Sequence, residues 1–110
     1  MYNKYHAKKT WMKGKVYDSK KEANRAFELE MLAKYGKIQN LQKQVPFVLQ
    51  EGYVNKHGKK IRPITYIADF TYEENGTLIV EDTKGFETEV FKIKRKMLEY
   101  KYPDIEFRVL

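Results

Sequence analysis

No cysteine occurs among the 110 residues, which excludes disulfides and thiolate metal sites and predicts a reducing, cytoplasmic setting. Histidine is scarce as well. His6 and His57 stand far apart without cysteine or histidine neighbours, so a zinc centre is not expected. No apolar run approaches the length of a membrane span, and the N-terminus carries no hydrophobic signal segment. The expectation is a soluble, unexported protein with no membrane partner. Also missing are a glycine-rich phosphate loop and a serine in a triad setting.

What is present points to a folded chain. The apolar share is 42% and the aromatic share 15%, well outside the composition of disordered segments. A chain of this length supports one domain with one core and is too short for two. The organisation expected is a basic N-terminal arm over residues 1–17 followed by a single domain over 18–110.

Charge is unevenly placed. The net charge is +7, yet residues 1–60 carry 14 Lys/Arg against 5 Asp/Glu, while residues 61–110 carry 8 against 10. The first 21 residues hold seven lysines and one acid, interleaved with Tyr2, Tyr5, Trp11 and Tyr17. Lysines can displace counterions from a phosphate backbone, and rings between them can stack on bases. Lys8, Lys9, Trp11, Lys13, Lys15 and Lys20 are therefore candidate nucleic-acid contacts. The plainer alternative is a solvated basic tail, with Trp11 anchoring the arm.

The arm shows no steady period and should be irregular or weakly β. "DSKKEANRAFELEMLAKYGK" reads as a helix with Ser19 as N-cap, Glu22 three residues later and Gly36 as a stop. "LQKQVPFVLQEGYV" and "IRPITYIADFTY" read as antiparallel strands joined by the turn "NKHGKK". Asn75-Gly76 is a tight hairpin turn leading into a third strand, "TLIVEDTKG". Val90, Ile93, Met97 and Tyr100 recur at helical spacing and predict a second long helix, ended by Pro103. "IEFRVL" should then return as a strand parallel to an earlier one. The fold class predicted is α/β, with a mixed sheet (an antiparallel three-strand meander plus a crossover strand) flanked by two long helices.

Within this frame "ADFTYEENGTLIVEDTKG" gathers five acids into eighteen residues of a basic protein. Strand alternation puts Asp82 and Lys84 on one face with Leu78 and Val80. The Asn75-Gly76 hairpin makes Asp69 a neighbour at about the same level, although the register is not fixed by sequence. Two carboxylates and an ammonium at one point suit a hard divalent cation and a lysine that positions water. An exposed Asp82–Lys84 pair on an ordinary hairpin is the alternative. A step of 100° per residue places Glu22 with Ala26, Leu29 and Ala33 on the helix face toward the sheet, where it could complete a metal site or simply cap the helix. Gln44 could point into the same site or be half-buried polar filler.

With an acid in the first helix, Asp69 in "YIADF" and Asp82-x-Lys84 in "VEDTKGF", the chain resembles the PD-(D/E)xK nuclease superfamily. It is similar in particular to phage junction-resolving endonucleases of the endonuclease I type and to small phage proteins of the same build. "YDSKKE" looks like their first-helix signature and "KQVPFVL" like their first strand, so the likeness runs from about Tyr17 to Leu110. Ala68 replaces the proline of the family pattern. Glu81 adjoins Asp82, but only Asp82 has the x-Lys spacing. The resemblance implies a restriction-endonuclease-like core and Mg²⁺ (or Mn²⁺) held by Asp69 and Asp82, with Glu22 binding directly or through water. It further implies Lys84 at the attacking water, a 5′-phosphate product and phosphate contacts from Lys92, Arg95 and Lys96, for which a plain solvated helix face is the alternative. The activity implied is cleavage of DNA, with branched DNA such as a four-way junction as substrate, in phage replication or recombination. A symmetric junction calls for two active sites, hence a homodimer. The rivals are a DNA-binding module of the same fold that does not cut, and a basic RNA-binding domain without catalysis.

Overall fold

The computed structural model describes residues 10–12, 15–17, 19–84 and 86–110, the first two segments as backbone only. Within the arm, β1 (Thr10–Met12) pairs antiparallel with β2 (Lys15–Tyr17), placing Trp11 opposite Val16. Helix α1 (Lys20–Lys34) starts where expected. Ser19 is extended, and its hydroxyl accepts a hydrogen bond from the Glu22 amide at 3.1 Å. The helix stops at Gly36, whose φ of +74° is costly for any residue with a Cβ. There the Lys37 amide returns to the Leu32 carbonyl and the Gly36 amide to that of Ala33, closing a Schellman motif.

Strand β3 (Gln39–Gln50) is shorter than its sequence suggests, because Gly52 interrupts it. A Cβ at Gly52 would lie 2.9 Å from the Ile61 carbonyl oxygen, and nearby Pro63 offers no N–H to a ladder. Residues read as the ends of two long strands therefore form a separate hairpin, β4 (Tyr53–Val54) with β5 (Lys60–Ile61). Strand β6 (Ile64–Glu74) then pairs antiparallel with β3. It turns into β7 (Thr77–Asp82) through Asn75 (φ +52°) and Gly76 (φ +80°), the left-handed pair that a two-residue hairpin of matching twist requires. Helix α2 (Glu89–Lys101), capped by the Thr88 hydroxyl, leads to β8 (Glu106–Val109), which joins β7 in parallel. The sheet order is β3-β6-β7-β8, so the described residues form an α/β fold with a mixed sheet and two helices.

Each helix closes its own hydrophobic cluster. Ala23, Ala26 and Leu29 of α1 pack with Ile38, Phe70, Tyr72 and Ile79. Phe91 and Leu98 of α2 pack with Tyr66, Ala68, Val80 and Phe107. Burying a side chain such as Leu29 or Leu98 contributes about 1.5–3 kcal/mol. The α2 face corrects the sequence reading. Val90, Ile93 and Tyr100, whose spacing announces the helix, are exposed, and Phe91 and Leu98 seven residues apart form the buried face. Polar residues hid this face, since their stems share it. Lys94 reaches the Thr65 carbonyl, and the Arg95 guanidinium lies 4.6 Å from the Phe107 ring centroid. Among the described residues no helix is long and apolar enough to cross a membrane.

Candidate active site

The hydrogen-bonded ladder between β6 and β7 ends at Phe70 opposite Glu81, and the two aspartates stand immediately beyond it. They clasp one another through the main chain. The Asp69 amide donates to Asp82 Oδ1 at 3.1 Å, while Asp69 Oδ2 accepts from both the amide and the hydroxyl of Thr83, each at 2.9 Å. These bonds replace the lost ladder and fix both carboxylates. Asp82 is fully buried, and its Oδ2 has no hydrogen-bond partner among the described residues, a state shared with the Tyr66 hydroxyl. Burial pushes the Asp82 carboxyl up to about 6, against the opposing pull of the Lys84 ammonium and the Asp69 amide. Lys84 lies beside it with its Nζ 5.2 Å from the centroid of the Phe91 ring, on the side of the sheet that α2 covers.

The neighbouring acid is built differently. Glu81 is equally buried but points to the α1 side, where Arg25 grips it with Nε at 2.6 Å and Nη2 at 2.9 Å. The Tyr72 hydroxyl donates at 2.6 Å to Oε1, the oxygen that also accepts from Arg25 Nη2, and Arg108 links Tyr72 to Glu74. Tyr72 is held above the usual phenol range by burial and then by its bond to Glu81. Every oxygen of Glu81 is thus satisfied by a structural tie between α1 and the sheet, whereas Asp82 keeps a free oxygen. Of the adjacent acids, Asp82 is the one whose bonding capacity is left unfilled among the described residues.

Glu22 reaches this level through Gln44. Its buried carboxylate accepts from Gln44 Nε2 at 3.0 Å. Gln44 has a φ of +53° and sits on β3 at the level of Asp69, between the pairs Lys43–Phe70 and Val45–Ala68. At that level both strands change the side they face. Leu41 packs in the α1 cluster, but Phe47 and Leu49 pack in the α2 cluster. On β6, Phe70 and Tyr72 face α1 while Tyr66 and Ala68 face α2. Residues an even number apart share one side of a regular strand, and on β3 the change falls at Gln44, whose φ lies outside the extended region. Among the described residues no three acids or histidines converge as a ready-made metal cage. Asp69, Asp82 and Lys84 are brought together, and Glu22 is joined to their level by Gln44.

The expected cation contacts are more scattered. Lys20 and Lys96 are exposed. Lys92 stands 3.5 Å from Glu89, and Arg95 3.6 Å from Glu99 in addition to covering Phe107. Lys8, Lys9 and Lys13 lie outside the described residues, and for Trp11 and Lys15 only the backbone positions in the β1–β2 hairpin are described. Two residues of the site carry little signal in the sequence. Thr83 is the variable middle of Asp82-x-Lys84 yet supplies two of the bonds that hold Asp69. Gln44 reads as filler because glutamine, unlike glycine or asparagine, does not announce a left-handed φ.

The site's donor set suits a hard divalent cation. It offers two adjacent carboxylates, one with a buried unpaired oxygen, and an ammonium alongside. No curated protein and no solved structure matches the chain. A family model described as "Protein of unknown function (DUF1064)" matches residues 2–110.

Proposed function

The chain belongs to the DUF1064 family, and we propose that it is a metal-dependent endonuclease that hydrolyses phosphodiester bonds of DNA. The observation that carries this reading is the buried, unpartnered Asp82 Oδ2 beside Asp69 and Lys84. A carboxylate in that state is costly unless something cationic completes it. The resemblance to PD-(D/E)xK nucleases supplies the rest of the proposal: a restriction-endonuclease-like core, branched DNA as substrate, a role in phage replication or recombination, and a homodimer for a two-fold junction.

Asp69 and Asp82 would hold Mg²⁺ or Mn²⁺, with Glu22 as an outer partner oriented by Gln44. Held there, the ion would supply an acidified water and positive charge for the scissile phosphate. Thr83 and the Asp69 amide keep the two carboxylates in place before substrate arrives, so no reorganisation is needed at the reaction. Lys84 orients the attacking water and offsets charge developing on the phosphoryl oxygens. Water adds to phosphorus, the bond to the 3′ oxygen breaks, and a proton passes to that oxygen, leaving a 3′-hydroxyl and a 5′-phosphate.

The test is cleavage of a labelled four-way junction and a matched linear duplex with Mg²⁺, Mn²⁺ or EDTA. Metal-dependent cutting is expected from the natural protein, falling by about a thousandfold or more in Asp82→Ala. Binding without cutting in any metal would support the second reading, a DNA-binding module of this fold. That reading draws on the absence of a three-carboxylate cage among the described residues.

A further inference from the structure

The β4–β5 hairpin forms a two-stranded sheet of its own apart from the four-stranded one, and nearly all its residues are exposed among the described residues. Tyr53 and Val54 are exposed, and Lys56, His57, Lys59, Lys60 and Arg62 follow without an intervening acid. Among the described residues none of these cations is in an ion pair, in contrast to Arg25, Lys43, Arg95 and Arg108. Four like charges on one short ribbon repel each other and contribute nothing to the core. The ribbon is nonetheless tightly built. Asn55 Oδ1 accepts from the amides of His57 and Lys59 at 2.9 and 3.0 Å, and the Asn55 amide donates to the Lys59 carbonyl at 2.9 Å. Gly58 turns the tip at φ +81°, and Gly52 lets the two legs close at the base.

We infer that this hairpin is a second nucleic-acid contact, gripping the phosphodiester backbone away from the acidic pair. The inference rests on the reading of that pair as a nuclease site. A two-stranded ribbon has the width that a duplex groove admits, and a preordered tip spares the entropy of fixing its lysines. Its position is set by topology. Asp82 closes β7, while β3 and β6 run on past the site toward the hairpin, so both features lie at one end of the sheet. From Asp69 back to Lys59 is ten residues of extended chain, at most about 34 Å, or roughly ten base pairs of duplex. The ribbon would hold one arm of a substrate within one helical turn of the scissile phosphate. The tip, Asn55 to Lys60, carries no apolar side chain, and the exposed Tyr53 and Val54 stand at the base of the ribbon rather than at its leading end, where a lipid-inserting wedge would be needed.

The experiment measures binding of a fluorescent duplex in EDTA across about 50–200 mM salt. It compares the natural protein, Lys59→Gln/Lys60→Gln, and a charge-matched control, Lys34→Gln/Lys37→Gln, at the opposite end of the sheet. The hairpin variant is expected to lower the salt slope by about 2 and weaken binding roughly 30-fold near 0.15 M salt, with the control much less affected. All four positions are exposed, and equal melting temperatures will show that folding is intact. Equal losses in both variants, or no loss in either, would overturn the inference. So would weakened binding to anionic phospholipid vesicles with DNA binding unchanged. If the hairpin variant binds normally while the natural protein cuts with metal, only the hairpin assignment falls. If binding depends on the hairpin but no metal supports cutting, only the catalytic reading falls.

Discussion

Asp82 combines a structural cost with a functional use. A carboxyl whose folded pKa is about 6, against an ordinary 3.8, holds its proton more tightly when folded than when unfolded. The linked stability is fully present below pH 3.8 and is lost as pH rises through about 6. At neutral pH in the absence of metal, the ionised side chain therefore costs up to about 3 kcal/mol. Asp82→Asn keeps an oxygen for the Asp69 amide and removes the buried charge. Urea unfolding in EDTA should show the variant more stable by about 2–3 kcal/mol at pH 7.5, the gap closing toward pH 4. An equal or destabilising effect at pH 7.5 would mean that Asp82 is already satisfied by the protein. Glu81, one residue away, has the opposite character, because Arg25 and Tyr72 complete it. Residue type and spacing single out Asp82 for its x-Lys relation, while the reason Glu81 is unavailable, a guanidinium 56 residues earlier, is not visible in any local pattern.

At the level of elements, the sheet is legible wherever a local rule sets it. Ser19 and Gly36 mark the ends of α1, and Asn75-Gly76 dictates the β6–β7 turn. Legibility fails where long-range contacts decide. The stripe that announces α2 is its outer face, and the break at Gly52 depends on an approach to Ile61 that no window of sequence contains. The common level of Gln44 and Asp69 is the clearest case. Regular alternation would carry each strand's side chains along one side, but both strands change sides there. A left-handed Gln44 costs about 1 kcal/mol relative to glycine. Both Gln44→Ala and Gln44→Gly lose the bond to Glu22, so their difference isolates the backbone. Thermal or urea unfolding should find the glycine variant more stable than the alanine variant by about 1 kcal/mol. A more stable alanine variant would show that the positive φ is not what turns the strand.

At the scale of the whole molecule, acidic and basic features divide the work. The acidic pair sits where the central ladder ends, and cations occupy the β4–β5 hairpin, the outer side of α2 and the arm. A net charge of +7 favours encounter with a polyanion, and the local acids would repel it unless a cation covers them. The account therefore turns on whether the acidic pair takes up a divalent metal. The most direct measurement is calorimetric titration of Mn²⁺ into the natural protein and into Asp82→Asn at neutral pH. Saturable binding to the natural protein, lost in the variant although it is folded and more stable in EDTA, is the expected result. Indistinguishable titrations of the two proteins, or no binding to either, would contradict it.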